Sequence, residues 1–320
     1  MDLQLTRRDF DDARQTIAGL VHRTPIFSSR SLSERTGLRV WLKAENFQKT
    51  GSFKVRGAFN MVLHLSPADR ARGIVTASAG NHGQAVAYVS SHQQIPGYVV
   101  MPERANPSKV SAVKEYGAEA ILHGRLWDDA YARSLELAEE KGLVYVHPFK
   151  DRHIMSGQGT IGLEISEDLH DPEVVLVPIG GGGLIAGIAM ALRRTNPKVH
   201  IIGVEPEGSA NMYTSRRNGA ATDLPEVDTV ADGLATMATD PDVFRCLEQT
   251  VDGLVTVTDD EIRGAIPFLM ERAKLVAEPA GAATVAALLA GKISLPDKSR
   301  TVALVSGGNL DVRGSVTLSV

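Results

Sequence analysis

Apolar and polar positions along the chain follow two alternating periods. Short, nearly continuous apolar runs bounded by glycine or polar turns recur at 40–44, 74–77, 98–101, 118–122, 144–147, 174–178, 201–205, 254–258 and 301–305. Runs of this kind predict strands buried on both faces. Between them, apolar residues fall three and four apart, which predicts helices over 9–21, 82–91, 107–116, 128–141, 184–194, 259–274 and 280–289. His22-Arg23-Thr24-Pro25 closes the first of these, because the residue before a proline favours extended backbone. Pro107 sits in a first turn, where a helix tolerates it. Residues 150–159 read as a break rich in glycine and aspartate, and 207–242 as a loop rich in Gly, Asn, Asp and Pro. The repeated alternation predicts an α/β protein with two open, mostly parallel, helix-covered sheets. No linker-like segment divides the two αβ blocks. The domains are therefore expected to interleave around a cleft, 1–50 with 147–320 forming the larger and 51–146 an inserted smaller one.

The 320 residues are 43% hydrophobic and 22% charged, ample for a core in two domains. A net charge of −4 leaves no basic footprint for nucleic acid. No apolar run approaches the ~20 residues of a membrane span, and the charged N-terminal run has no apolar signal core. The single cysteine, Cys246, permits no disulfide within the chain and fits a reducing compartment, so a cytoplasmic location is expected.

Lys54 changes the picture. It lies beside Phe53 in Lys49-Thr50-Gly51-Ser52-Phe53-Lys54-Val55-Arg56-Gly57-Ala58, on what reads as a tight glycine-flanked turn. A lysine partly desolvated there keeps its neutral amine available for Schiff-base chemistry. An ordinary solvated lysine is the alternative at this point. Gly180, Gly181, Gly182 and Gly183 separate a strand from a helix and expose backbone N–H groups, an anion cradle suited to phosphate. Four glycines are entropically expensive for a mere turn. Gly181-x-Gly183-x-x-Ala186 also matches a dinucleotide fingerprint, with Glu205 ending the next strand, so an NAD-dependent oxidoreductase is a rival reading. It leaves Lys54 and two loops unexplained. Ser78-Ala79-Gly80-Asn81-His82-Gly83-Gln84 offers an amide and N–H donors at a helix start, suited to a carboxylate. Ser306-Gly307-Gly308-Asn309 ends the last strand in a hydroxyl. Polar glycine loops at strand C-terminal ends mark a cleft site in an open αβ sheet. A lysine, a phosphate cradle, a carboxylate cradle and a terminal serine together describe pyridoxal phosphate bound to an amino acid.

The set Ser52-Phe53-Lys54-Val55-Arg56-Gly57-Ala58, Ser78-Ala79-Gly80-Asn81-His82, Gly180 to Gly183, Val204-Glu205-Pro206, Ala277-Glu278-Pro279-Ala280-Gly281-Ala282 and Ser306-Gly307-Gly308-Asn309 resembles the threonine/serine dehydratases and serine racemases. These are fold-type II enzymes (tryptophan-synthase-β-like) dependent on pyridoxal 5′-phosphate, and the likeness covers nearly the whole chain in order. It implies that the larger domain binds the cofactor, with a Schiff base on Lys54, which then takes the Cα proton. It implies Phe53 on the pyridine ring, Asn81 on the ring hydroxyl, and Gly180, Gly181, Gly182, Gly183 and the Leu184 N–H on the phosphate. Ser306 would face the pyridine nitrogen, and a hydroxyl there makes a milder electron sink, suited to direct loss of a β-hydroxyl. The family's cofactor phosphate would protonate that leaving hydroxyl. Ser78, Ala79, Gly80, Asn81 and His82 would cradle the substrate carboxylate, His82 through its backbone. Gly233 and Glu278 would line the cleft. Phe53 as plain core and Glu278 as a helix-entry charge are the alternatives, and the remaining histidines show no metal spacing.

Three departures refine the expectation. Racemases of the family carry a serine where this chain has Ala79, so the second proton donor for racemisation is missing and dehydration is favoured. The racemase branch's divalent-cation loop has an acidic residue where this chain has Asn211, six positions after Glu205. No firm metal site is expected, with Glu205 a weak candidate for a divalent or monovalent cation. The chain stops shortly after Asn309, where long biosynthetic threonine dehydratases carry a regulatory domain, so feedback by isoleucine is not expected. The implied activity is an L-threonine/L-serine ammonia-lyase, eliminating water from a β-hydroxy amino acid to give a 2-oxo acid and ammonia, in a homodimer or homotetramer. A serine racemase, a dehydratase for hydroxyaspartate or phenylserine, and a catalytically silent cofactor-binding protein are the other readings.

Overall fold

The computed structural model describes residues 3–311. Their strands are β1 (Ile26–Ser28), β2 (Arg39–Ala44), β3 (Ile74–Ala77), β4 (Gly97–Met101), β5 (Glu119–Leu122), β6 (Val144–Tyr145), β7 (Val174–Pro178), β8 (His200–Pro206), β9 (Gly253–Val257) and β10 (Arg300–Val305). A six-stranded sheet runs β1-β2-β10-β7-β8-β9 and a four-stranded sheet runs β5-β4-β3-β6. Every pairing is parallel except β1 with β2. This is the α/β architecture expected.

Alternate residues of the large sheet feed two cores. Val175, Val177, Val302 and Leu304 pack with the helices Arg152–Asp168 and Gly183–Thr195, whereas Val174, Leu176, Ala303 and Val305 pack with Asp259–Phe268 and Pro279–Leu289. Side chains alternate across a strand, so these are the sheet's two covered faces. A separate cluster joins the helix Lys54–Leu63 to the small sheet through Val55, Phe59, Ile74 and Val86.

Several expected boundaries are corrected. Residues 150–159 are no break, because Arg152–Asp168 is one 17-residue helix, started by the Asp151 carboxylate accepting from the His153 and Ile154 N–H groups. Its glycines serve close packing. A Cβ at Gly157 would lie 2.7 Å from the Gly57 Cα, and one at Gly159 would overlap the Phe10 ring. The 207–242 stretch contains the helix Asn211–Asn218, and Pro241–Thr250 begins at its end. The helix expected over 259–274 is Asp259–Phe268 followed by a π-turn, Leu269–Ala273, just after Pro267. A proline removes a backbone donor and so disrupts the ladder there. The first helix is Arg7–Thr16, ending before residue 21.

Candidate active site

Lys54 is the first residue of the helix Lys54–Leu63, not a residue of a turn. The chain leaves β2, passes the 3-10 turn Glu45–Phe47, and reaches Ser52, which bridges to Gly307 beyond β10. Lys54 Nζ donates to the Pro148 carbonyl at 2.9 Å and lies 5.2 Å from the Phe53 ring centroid. Burial pulls its pKa from 10.5 down to about 8. Desolvation disfavours the ammonium, and a helix N-terminus is itself unfavourable for a cation. A neutral amine is therefore accessible near physiological pH.

Two residues further on, Arg56 anchors this helix in a buried charge network that the sequence reading missed. Its Nε and Nη2 donate to Glu45 Oε2 and Oε1 at 2.9 and 2.8 Å. Its Nη1 and Nη2 donate to Glu164 Oε1 and Oε2 at 2.6 and 2.9 Å. Glu164 Oε2 also accepts from Lys43 Nζ at 2.5 Å. Burial pushes the Glu45 carboxyl up, but the Arg56 charge and hydrogen bonds and the Lys43 charge outweigh it and hold it below its usual range. Two cations and two carboxylates thus cancel inside the protein, joining β2, the Lys54 helix and the Arg152–Asp168 helix. An arginine within the mostly apolar stretch 55–63 was the available signal.

Gly180 to Gly183 lead from β7 into the helix Gly183–Thr195, where the phosphate cradle is expected. Gly182 has φ 86°, the left-handed region, and precedes the helix Gly183–Thr195. A Cβ at Gly181 would overlap the Phe149 ring, one at Gly183 would lie 2.6 Å from the Phe149 carbonyl, and one at Gly180 would lie 3.2 Å from the Gly233 carbonyl. Side chains are excluded here, and the N–H groups at the helix start, Leu184 included, remain for an anion.

Gly80 precedes the helix Asn81–His92, and Ser78 Oγ accepts from the Gly80 N–H at 3.2 Å. Ala79 is partly buried against the small-sheet core. His82 Nε2 lies 3.0 Å from the Val146 carbonyl, which can only accept, so Nε2 carries the proton. Burial, with the Lys54 charge, drops the His82 pKa to about 3, so the ring is neutral. Asn81 Nδ2 donates to Glu278 Oε1 at 2.5 Å, and Asn309 Nδ2 donates to Asn81 Oδ1 at 2.8 Å. Burial pushes the Glu278 carboxyl up to about 7. Gly233 lies beside it, and a cavity of about 200 Å³ is lined by Asn106, Lys109, Asp232, Gly233, Glu278 and Asn309. Lys109 Nζ pairs with Asp232 at 2.9 Å across it. Asn106 and Lys109 come from the helix start at 106–107, which carries no motif the sequence reading could seize. Ser306 Oγ donates weakly to the Ala280 carbonyl at 3.4 Å.

The structure thus brings together Phe53, Lys54, Asn81, Gly233, Glu278 and Ser306 through bonds and contacts among 50–54, 78–82, 278–281 and 306–309. The glycine loop joins them through Gly233 and through Phe149, next to the Pro148 that holds Lys54. Glu205 stands apart. Its oxygens accept from the Met212 and Tyr213 N–H groups at 2.9 and 2.7 Å, capping the helix Asn211–Asn218. Among the described residues no group of three His, Cys, Asp or Glu could hold a metal. The residues present fit pyridoxal phosphate. There is a buried lysine bound to a backbone carbonyl, a glycine loop that excludes side chains, an amide held by Glu278 and Asn309, and the buried Ser52 and Thr50 hydroxyls without a partner among the described residues.

Residues 17–307 match the family described as pyridoxal-phosphate dependent enzyme. The L-threonine ammonia-lyase of Thermotoga maritima is 48% identical over 308 residues, covering 96% of this chain and 76% of its own length. The catabolic L-threonine dehydratase of Escherichia coli is 43% identical over 312 residues, covering 97% and 95%. Among solved structures, a serine racemase from maize superposes with a TM-score of 0.94 at 36% identity, covering 97% of this chain and 95% of that one.

Proposed function

The chain belongs to the family of pyridoxal-phosphate-dependent enzymes, and on that premise we propose that it is an L-threonine/L-serine ammonia-lyase. The reaction removes water from the β-hydroxy amino acid, and the product then hydrolyses to a 2-oxo acid and ammonia. The observation that carries the reading is Lys54, held by a backbone carbonyl with its pKa near 8, in a chain whose relatives are threonine ammonia-lyases. An NAD-dependent oxidoreductase is set aside by the same relatives.

Pyridoxal phosphate, when bound, supplies the electron sink that makes a Cα proton removable and a β-hydroxyl expellable. Lys54 would hold the cofactor through its amine and would serve as the base that takes the Cα proton. Gly180 to Gly183 and the Leu184 N–H would hold the phosphate, and Phe53 would give the ring an apolar face. Asn81 would donate to the ring oxygen, and Ser306 would be the neutral partner of the ring nitrogen. Ser78, Ala79, Gly80, Asn81 and the His82 N–H hold the substrate carboxylate at a helix N-terminus, where a negative charge is stabilised. The His82 ring, spent on Val146, takes no part in proton transfer. Gly233 and Glu278 border the substrate. On this reading residues 51–146 would be the small domain and 1–50 with 147–320 the cofactor-binding one. No cation is assigned to Glu205, whose oxygens are both engaged. Among the described residues no helix is long and apolar enough to cross a membrane. A cytoplasmic homodimer or homotetramer completes the reading.

The test is 2-oxo acid release with pyridoxal phosphate from L-threonine, L-serine, their D-forms, threo-hydroxyaspartate and phenylserine. Rapid oxobutyrate and pyruvate formation from the L-forms is expected. A cofactor-loaded protein that yields no oxo acid from any of them overturns the activity.

A further inference from the structure

A side-chain amide looks alike either way up, and only its partners fix which end is nitrogen. Around Asn81 those partners form a chain that starts on the backbone. The Thr50 carbonyl can only accept, so the Asn309 atom 2.8 Å from it is Nδ2. The second N–H of that nitrogen meets Asn81 at 2.8 Å, so the Asn81 atom there is its oxygen. The Asn81 nitrogen therefore falls on the far side, 2.5 Å from Glu278 Oε1, an acceptor in either protonation state. Two glycines make room for the chain. A Cβ at Gly51 would overlap the Asn309 amide, and a Cβ at Gly307 would overlap the Glu278 carboxylate. Of the two Asn81 N–H groups, one is bound to Glu278, which leaves one for a ligand.

We infer that Glu278 and Asn309 are positioning residues that lock the Asn81 amide in one of its two orientations, so that it offers an N–H rather than a carbonyl oxygen to the ring oxygen of the cofactor. This rests on the cofactor assignment above and extends it to two residues acting through a third. A flipped amide would set oxygen against oxygen, lose one hydrogen bond and add a repulsion. Locking it in advance removes that alternative before the cofactor arrives.

The holoenzyme tests it through two readouts besides turnover: retention of pyridoxal phosphate in equilibrium dialysis, and the absorption maximum of the bound cofactor. Asn309→Ser removes the donor that pins Asn81 Oδ1 and should weaken retention about tenfold, the scale of one lost hydrogen bond. Asn309→Asp sets a carboxylate against that oxygen and should do more, with a shifted absorption maximum. Glu278→Leu should resemble Asn309→Ser, whereas Glu278→Gln, which keeps an acceptor oxygen, should restore retention to within about threefold of wild type. In an Asn81→Ala background none of the four should change retention or spectrum further, because their shared intermediary is gone. Variants that leave both readouts at wild-type values, or whose effects multiply with Asn81→Ala, overturn the inference. A wild-type protein that fails to retain pyridoxal phosphate and releases no 2-oxo acid from L-threonine overturns the function itself. A wild-type protein that retains the cofactor and releases the 2-oxo acid leaves the function standing whatever the variants show.

Discussion

Lys54 and Ala79 set the chemistry at the scale of single residues. Lys54→Ala should lower the rate of 2-oxo acid release by at least about a thousandfold, since base and covalent anchor go together, while thermal unfolding of the variant stays cooperative. Ala79→Ser should raise racemisation, read as D-serine by chiral chromatography, and comparable D-serine from the wild type would contradict the role given to Ala79. Glu278 adds a pH dependence. Its folded-state pKa, about 7, lies above the ordinary 4.5 because of burial, with Asn81, Lys109 and Asp232 as the facing groups. Stability from this group is thus complete below about 4.5 and lost as pH rises through 7. Glu278→Gln should therefore gain on the wild type in unfolding midpoint between pH 5 and pH 8, and a constant difference would refute the shift. Lys54 and Gly180 to Gly183 were legible from the sequence because each signal is local. The Arg56 network was not, since Glu164 stands 108 positions from Arg56 and only folding joins them.

Packing decides more than propensity at the scale of elements. The helices Arg152–Asp168 and Gly183–Thr195 cross so closely that a Cβ at Gly187 would overlap the Met155 carbonyl. Gly187→Ala should destabilise by about 1–3 kcal/mol, as overpacking of a dense core does, and denaturant unfolding with an unchanged m-value would show it. Arg56→Met should be costlier, about 3–5 kcal/mol, because Glu45 and Glu164 would keep only Lys43 as a buried cation. Strands such as Ile74–Ala77 and Val174–Pro178 were readable to the residue, because burial on both faces writes a nearly continuous apolar run. The glycines at 157 and 159 misled, since a glycine that admits a neighbouring helix and one that ends a helix are the same letter. Short helices such as Arg30–Thr36 and Asn211–Asn218 were missed because each buries little: Leu32 in the first, and Asn211, Met212 and Ser215 in the second.

Sheet order governs the behaviour of the whole molecule. The small sheet is built from one continuous stretch, 74–145, whereas the large one draws on residues from 26 to 305. The two blocks were visible in the sequence as two runs of alternation, but strand order was not, because periodicity carries no record of which strand neighbours which. β10, the last strand among the described residues, lies between β2 and β7. During synthesis on the ribosome, β2 emerges early and must wait, with one edge unpaired, until residues 300–305 have been made. The small sheet faces no such delay. Nascent chains arrested before residue 300 should yield to protease throughout the region of β2 and β7 while guarding 74–145, and protection of the former should appear abruptly once β10 is released. A cell making this protein therefore carries, from the emergence of β2 until that of β10, an open sheet edge exposed to wrong partners.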